Sequence, residues 1–300
     1  MLYSNATKDI SRLNKGVVDV IIPSSKAPAQ LLAWGLLSFL LRTNPNKFSR
    51  IIVCLNGKDE PLLDIKHSFL KEVNEINERI TVIRVDDYPE HSCALETGLV
   101  WSRSEFYLQM HDDIVVLKDW TQYIPDDPKL GFVTTTPRLS CGLHENYDEQ
   151  HDWQCIHLPH PNGSFLFGSR VNLIKSHTSW LCSCVPKPFT LTQEQVDFLI
   201  SEHDPHDHSP PIAGKRYDRM CAEMGAYLYH SLKKSGHNFH LFPNGVVHHF
   251  SAGSWLQHLL PEKINAVMPS LTKLEEEINE SPYRDSYERL RRKTDHQSLA

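Results

Sequence analysis

The chain has 300 residues, of which 40% are hydrophobic and 23% are charged, a composition that allows a sizeable core and excludes gross disorder. The formal net charge of −6 excludes a global positive field that would attract nucleic acid or an anionic membrane. It does not exclude a local basic patch. The seven cysteines are irregularly spaced, which does not indicate a disulfide framework.

The N-terminal part of the sequence shows no targeting or membrane segment. The first fifteen residues lack the apolar core of a secretory signal. The most apolar stretch, residues 31–41, has eleven residues, whereas a membrane-spanning helix needs about 20. We therefore expect this stretch to be a buried helix, and we expect the protein to be cytoplasmic and to have no transmembrane segment.

The first half of the chain alternates strand-like and helix-like segments. Apolar and β-branched runs predict strands, and the amphipathic or charged segments between them predict helices. The predicted strands are 17–22, 51–55, 80–85 and 106–110, followed at once by 114–116, and the predicted helices begin near Pro28 and cover 61–79 and 91–102. This alternation is typical of βαβ units, so we expect an α/β fold with a mainly parallel sheet whose strands are covered on both faces.

The second half is less regular. We predict strands at 131–139, 165–167, 239–242 and 246–250, a long loop region at 140–161, and an amphipathic helix at 217–235 that Gly236 ends. The sequence becomes charged after Pro261, and 274–293 is predicted to be helical with a break near Pro282. These patterns predict a large domain at residues 1–260 and a charged helical C-terminal tail at 261–300.

Acidic residues follow the fourth predicted strand. Ligands of parallel α/β sheets bind beyond the carboxyl ends of the strands, a rule that selects 23–25, 56–60 and 111–113. Of these segments, His111-Asp112-Asp113 has the strongest signal, because carboxylates there suit Mg²⁺ or Mn²⁺. An ordinary acidic loop explains the same residues about equally well. Asp86 and Asp87 form a rival acidic pair, which we interpret as turn residues.

Two later segments carry further candidates. His248 and His249 follow a strand-like run, and imidazole is a good ligand for Mn²⁺. Strand alternation directs the two side chains to opposite faces, so we expect at most one of them to reach a metal. Glu223, on the predicted helix, would act as a general base if it faced the cleft. A structural histidine pair and a solvated helix charge are the respective alternatives.

In order and spacing, these segments resemble the inverting glycosyltransferases with a GT-A fold. The resemblance spans about residues 16 to 256, and its segments are VDVIIPSS, IIVCLNG, SEFYLQMHDDIVVLKDW, NGSFLFGSR and AEMGAYLYHSLKKSGHNFHLFPNGVVHH. It implies a Rossmann-like GT-A fold and a hexosyl- or pentosyltransferase that moves a sugar from a nucleotide-sugar donor to an acceptor hydroxyl with inversion. It also implies Mn²⁺ or Mg²⁺ as cofactor and favours a UDP-linked donor.

The resemblance also implies roles for individual residues. Asp113 would hold the metal in the DXD motif together with His248 or, failing that, His249, and Glu223 would be the catalytic base. The residues implied in nucleotide binding are Pro23, Ser24, Asn56, Asp87 and Asp112.

The sequence departs from the family pattern at three positions. His111 replaces the first aspartate of the DXD motif, Asn56 replaces an acidic residue after the second strand, and Met224 replaces the second acid beside Glu223. These departures leave open a catalytically silent GT-A-like domain that binds a glycan or protein partner.

The acceptor is not identified by the sequence. A glycan, a lipid-linked glycan, a protein, a small molecule and a modified nucleic-acid base all stay open, with nucleic acid not favoured. The basic segment 289–293 is interpreted as a solvated helix end. The histidines of segment 203–208 suggest a zinc-binding protein as a third class, although a polar loop explains them better.

Overall fold

The structure is a computed structural model that describes residues 10–85, 91–135, 143–145, 154–157, 163–176, 183–185, 189–201, 212–217, 219–222, 225–250 and 260–297. Its strands are β1 (Asn14–Ser24), β2 (Arg50–Asn56), β3 (Ile80–Val85), β4 (Ser104–Met110), β5 (Ile114–Val116), β6 (Leu130–Thr134), β7 (Leu143–Glu145), β8 (Gln154–His157), β9 (Phe165–Ser169), β10 (Ser183–Val185), β11 (Phe189–Thr190), β12 (Arg216–Tyr217), β13 (Arg219–Ala222), β14 (Asn238–Leu241) and β15 (Val247–His249). Its α-helices are α1 (Ala29–Arg42), α2 (Glu60–Asn77), α3 (His91–Trp101), α4 (Arg170–Ser176), α5 (Gln193–Ser201), α6 (Ala226–Lys234), α7 (Leu260–Ala266), α8 (Met268–Asn279) and α9 (Arg284–Gln297).

A seven-stranded mixed sheet forms the centre of the molecule, in the order β14-β6-β9-β4-β1-β2-β3. Strand β1 pairs in parallel with β2 and β4, β2 pairs in parallel with β3, and β6 pairs in parallel with β14. Only β9 in this sheet runs antiparallel, between β4 and β6. The α/β class and the mainly parallel sheet are therefore confirmed. Smaller ladders join β10-β13-β8-β7, β11-β12 and β15-β5.

The central strands are mainly apolar because helices cover both faces of the sheet. Val20 and Ile22 pack in one core cluster with Leu32 of α1, whereas Ile21 packs in a second cluster with Leu95 of α3. Alternate residues of one strand thus enter different cores, as the two-residue repeat of a strand requires. The predicted buried helix within 31–41 is confirmed as part of α1. No helix among the described residues combines the length and apolarity needed to cross a bilayer.

The C-terminal helices α8 and α9 pack on the sheet domain. Leu274, Ile278 and Leu290 are buried in the same core cluster as residues of α1 and α2. The Tyr287 hydroxyl accepts a hydrogen bond from Trp34 Nε1 at 2.8 Å and lies 2.8 Å from Glu275 Oε1. The helical C-terminal region is confirmed, with the break near Pro282 lying between α8 and α9.

Two sequence expectations of the second half are corrected. The predicted helix at 217–235 is helical only over α6, because residues 216–217 and 219–222 form β12 and β13, which pair with β11, β8 and β10. Gly225, at φ +84°, turns the chain immediately before α6, whose end before Gly236 (φ +75°) is as predicted. The predicted loop region 140–161 contains β7 and β8, which pair with each other. Such short strands depend on their pairing partners, which a local pattern does not reveal.

Candidate functional site

Buried polar residues meet at the carboxyl edge of the central sheet. Ser24 ends β1, Asn56 ends β2, and residues 111–113 follow β4. Because β1 is parallel to both β2 and β4, these three ends lie at the same edge. Ser24 and Asn56 are at most 1% exposed, and Asp112 and Asp113 are each 3% exposed. The edge selected from the sequence thus holds a group of polar side chains that are shielded from bulk solvent.

Backbone hydrogen bonds fix the turn at 111–113 from two sides. The His111 amide donates to the carbonyl of Ser164 at 2.8 Å, immediately before β9. The Phe250 amide donates to the carbonyl of Asp113 at 3.0 Å, immediately after β15. Strand β15 pairs antiparallel with β5, so that His249 lies opposite Ile114. This pairing brings a distant segment of the chain to the turn.

His111, Asp113 and His249 form what we call the outer cluster. One potential ligand atom from each of the three residues lies within 4.8 Å of the others. His249 Nε2 is 3.2 Å from Asp113 Oδ1, and the two imidazole rings meet edge to face with centroids 6.0 Å apart. Adjacent ligands of a cation with bonds of about 2.1 Å are about 3 Å apart. The separation of His249 and Asp113 matches this spacing, and the three residues together could hold a divalent cation.

Of the two adjacent histidines, His249 is the one beside Asp113. The His248 ring instead lies edge to face against Phe250, with centroids 5.0 Å apart. Alternation along β15 accounts for this separation, since neighbouring side chains of a strand leave from opposite faces.

Ser24, Lys66 and Asp112 form a second group, which we call the inner network. Lys66 Nζ donates to Ser24 Oγ at 2.9 Å and to the carbonyl of Ser25 at 2.7 Å, and it lies 3.5 Å from Asp112 Oδ2. The Ser24 hydroxyl donates in turn to Asp112 Oδ2 at 2.6 Å. Lys66 is fully buried. Burial lowers the pKa of Lys66, and the Asp112 carboxylate acts against that shift.

Gly35 allows helix α1 to approach the turn closely. A Cβ atom at this position would lie 2.7 Å from the carbonyl oxygen of Ile114 and 3.6 Å from that of Asp112. The helix backbone therefore packs directly on the backbone that carries Asp112 and Asp113. No other residue type leaves the space that this contact requires.

The remaining candidates from the sequence are distributed as follows. Pro23 is buried within β1 opposite Cys54, and Asn56 is buried at the end of β2. Asp87, Glu223 and the histidines of segment 203–208 lie outside the described residues. In the basic segment 289–293, Arg289 pairs with Glu72 at 2.9 Å, so part of its charge is engaged within the molecule.

Three residues of the site were not singled out from the sequence. Lys66 occupies the apolar face of α2, on which Leu63, Leu70 and Val73 are buried, and a lysine in such a pattern is a usable signal. Gln109 interrupts an apolar strand and is fully buried, and its Nε2 atom lies 3.4 Å from Nε2 of His111. Gly35 within an otherwise bulky helix is a weaker signal, because nothing in the sequence identifies the backbone that it contacts.

No protein-family model matches the chain, and no curated protein matches it. Among solved structures, the chain is similar to the mannosyltransferase PcManGT from Pyrobaculum calidifontis in complex with GDP-Man and Mn²⁺, with 14% sequence identity, a TM-score of 0.46, and coverage of 96% of this chain and 76% of that chain. It is also similar to TarS 1–349 from S. aureus, with 10% identity, a TM-score of 0.39, and coverage of 73% of this chain and 64% of that chain. TM-scores of this size do not establish a shared fold, so neither similarity assigns an activity.

Proposed function

We propose that the protein is a metal-dependent glycosyltransferase of the GT-A type, which moves a sugar from a nucleotide-sugar donor to an acceptor hydroxyl with inversion. The observation that carries this proposal is the approach of His249 to Asp113, at 3.2 Å, at the carboxyl edge of a mainly parallel sheet. Nucleotides bind at such edges, and a carboxylate beside an imidazole is a suitable donor pair for a divalent cation. The order of the sequence motifs supports the same activity.

In this proposal Asp113 and His249 hold Mn²⁺ or Mg²⁺. A cation held there would offset the negative charge that develops on a nucleoside-diphosphate leaving group. The two protein ligands are rigidly supported, because Asp113 belongs to a hydrogen-bonded turn and His249 to a paired strand. A rigid pair of ligands keeps its geometry while substrates exchange.

The nucleotide would lie along the neighbouring strand ends. The Ser24 hydroxyl and the Asp112 carboxylate already bond to each other and to Lys66. We therefore assign Ser24 and Asp112 a positioning role, in which they hold the turn on which the nucleotide rests. Asn56, with Pro23 and Asp87, is assigned the direct contacts, and a UDP-linked donor is proposed.

Glu223 is proposed as the general base. It follows directly after β13 and precedes Gly225, at the start of α6. Its carboxylate would accept the proton of the acceptor hydroxyl while the acceptor oxygen bonds to the anomeric carbon. The bond from that carbon to the diphosphate oxygen breaks on the opposite face, so the configuration inverts. A glycan, a lipid-linked glycan or a modified base would each supply such a hydroxyl.

The proposal is tested with a panel of UDP- and GDP-linked hexoses and pentoses, each incubated with Mn²⁺, with Mg²⁺ or with a chelator. We expect release of one nucleoside diphosphate that requires the metal and that Asp113→Asn abolishes. Glu223→Gln is expected to slow transfer by about 10²- to 10⁴-fold while donor binding is kept.

The matched control is Asp127→Asn, which changes an aspartate that also contacts a histidine but precedes the amino end of β6, at the edge of the sheet opposite the site. It should leave turnover unchanged. If no donor is bound in calorimetry and no diphosphate is released, the transferase proposal is wrong and the silent GT-A-like domain replaces it.

A further inference from the structure

We propose that His111 is a third metal ligand held in place by Gln109, and that the resulting set of two imidazoles and one carboxylate selects Mn²⁺, Co²⁺ or Zn²⁺ over Mg²⁺. This inference rests on the metal site proposed above and specifies the class of cation that the site takes. It makes His111 the residue that determines metal specificity and Gln109 a positioning residue.

The position of His111 supports its role as a ligand. The residue stands where the sequence motif has an aspartate, and a ligand atom of its ring lies within 4.8 Å of those of Asp113 and His249. Its backbone amide is fixed to the carbonyl of Ser164 at 2.8 Å, and its ring meets that of His249 edge to face. Both imidazoles therefore lie close enough to Asp113 to share a cation with it.

The place of Gln109 in the sheet calls for an explanation. It is fully buried in β4, where its register partners on the neighbouring strands are Ile21 and Leu166. A leucine would fill such a position without the cost of burying an amide. The amide reaches His111, which leaves the chain two residues later on the same face, with Nε2 of Gln109 3.4 Å from Nε2 of His111.

A buried amide next to a ligating imidazole fixes the ring. A rotation of the Gln109 amide by about 180° would exchange its nitrogen and oxygen. The oxygen would then accept the hydrogen bond of the His111 Nε2–H group, and Nδ1 would keep its lone pair for a metal. Histidine ligands generally donate their second ring N–H to a polar partner, which fixes the tautomer and orientation. Gln109 would supply that partner from the sheet interior.

The Asp112 carboxylate does not belong to the outer cluster, because it interacts with the inner network. Asp112 lies 3.5 Å from Lys66 Nζ and accepts the Ser24 hydroxyl, so the inner network already compensates its charge. The outer cluster therefore presents one carboxylate and two imidazoles. Mg²⁺ prefers oxygen ligands and rarely takes imidazole, whereas Mn²⁺, Co²⁺ and Zn²⁺ accept both ligand types. The ligand set consequently disfavours Mg²⁺.

The test measures binding of the metal alone to the full chain, without nucleotide. Calorimetry gives Kd for Mn²⁺, Co²⁺ and Mg²⁺, and visible absorption of bound Co²⁺ reports its nitrogen ligands. The wild-type chain should bind Mn²⁺ and Co²⁺ at least about 10-fold more tightly than Mg²⁺. His111→Asp should reduce the preference for Mn²⁺ and Co²⁺ over Mg²⁺ and shift the Co²⁺ spectrum, because it exchanges an imidazole for a carboxylate.

Variants of Gln109 test the positioning role. Gln109→Leu should weaken Mn²⁺ binding by about 10- to 100-fold, because the ring of His111 loses its partner. Gln109→Glu should restore or exceed wild-type affinity, since a carboxylate accepts the same hydrogen bond. His67→Asp, at an exposed position of α2, is the matched control. It should change neither the Mn²⁺ affinity nor the ratio of the Mn²⁺ and Mg²⁺ affinities. Thermal unfolding of each variant establishes that it is folded.

The outcomes separate this inference from the proposed function. If wild-type chain binds Mn²⁺ but His111→Asp leaves the Mn²⁺/Mg²⁺ ratio and the Co²⁺ spectrum unchanged, His111 is not a ligand and only this inference fails. If metal binding follows our expectation but no donor is bound and no diphosphate is released, the transferase proposal fails and the metal assignment stands. If no divalent cation binds at all, both are wrong.

Discussion

The inner network and the outer cluster each contain one of two adjacent aspartates of the same turn, and they give these aspartates different partners. Asp112 faces a buried lysine and a serine hydroxyl, whereas Asp113 faces an imidazole at 3.2 Å. Both carboxylates are equally buried, at 3% exposure. Their chemical roles therefore depend on the neighbouring side chain and not on burial or on sequence position. The fold compensates Asp112 with a buried lysine and places Asp113 beside a histidine.

The largest effect is expected from removing the internal cation. Lys66→Met leaves the Asp112 carboxylate buried without its compensating charge, which should cost about 3–5 kcal/mol in the free energy of unfolding. The measurement is urea-induced unfolding of the wild type and the variant. Combining the change with Asp112→Asn removes the stranded charge while keeping an acceptor for Ser24, so the double variant should recover part of the loss.

The control for this experiment is Lys71→Met, which removes an exposed lysine from the same helix. Surface changes of this kind usually stay within about 0.5 kcal/mol. If Lys66→Met also lowered the free energy of unfolding by only that amount, Lys66 would not stabilise the buried Asp112 carboxylate. The contrast between the two aspartates would then disappear.

An intermediate effect is expected from the close approach of α1. Gly35→Ala puts a Cβ atom 2.7 Å from the carbonyl oxygen of Ile114, a backbone atom that can yield only if the turn moves. We expect a loss of about 1–3 kcal/mol in unfolding free energy together with weaker Mn²⁺ binding, measured by calorimetry.

Gly98→Ala on α3 is the matched comparison, because its added Cβ would crowd the side chain of Ile21 instead of the turn. It should also destabilise the protein but leave Mn²⁺ affinity unchanged. Equal effects of the two changes on metal affinity would show that affinity follows overall stability and not the position of the turn.

The smallest effect is expected at a histidine–aspartate pair away from the site. Asp127 accepts hydrogen bonds from His240 Nε2 at 2.9 Å, Asn238 Nδ2 and the Lys129 amide, and these bonds lower the pKa of Asp127 to about 2. Because the folded pKa lies below the ordinary value of about 3.9, this contribution to stability is fully present above pH ~4 and is lost as pH falls toward ~2.

Asp127→Asn should therefore destabilise the protein at neutral pH, and its difference from wild type should shrink as pH falls from about 4 to about 2. Thermal unfolding across that range measures the difference. A constant difference would contradict the assigned pKa. The pair of Asp127 and His240 also serves as a control for metal binding, since it lacks the second imidazole of the outer cluster and should bind Mn²⁺ much more weakly.

Much of the fold was predictable because it follows local patterns. The apolar runs of β1 to β4 and the helices between them gave the mainly parallel sheet, and that arrangement selected the edge with Ser24, Asn56 and residues 111–113. The segment around β13 was not predictable in the same way. Its apolar spacing fits a helix as well as a strand, and its state depends on pairing with β8 and β10.

The sequence by itself determined the α/β class and the presence of acids and histidines that suit a metal, and it selected one edge of the sheet as the candidate site. Only the tertiary structure decided which of them meet. Pairing of β5 with β15 brings His249 to Asp113, and the fold of α2 onto the sheet brings Lys66 to Asp112. The physical reason is that local patterns record burial and periodicity, whereas the partner of a buried charge is set by contacts between segments far apart in the chain.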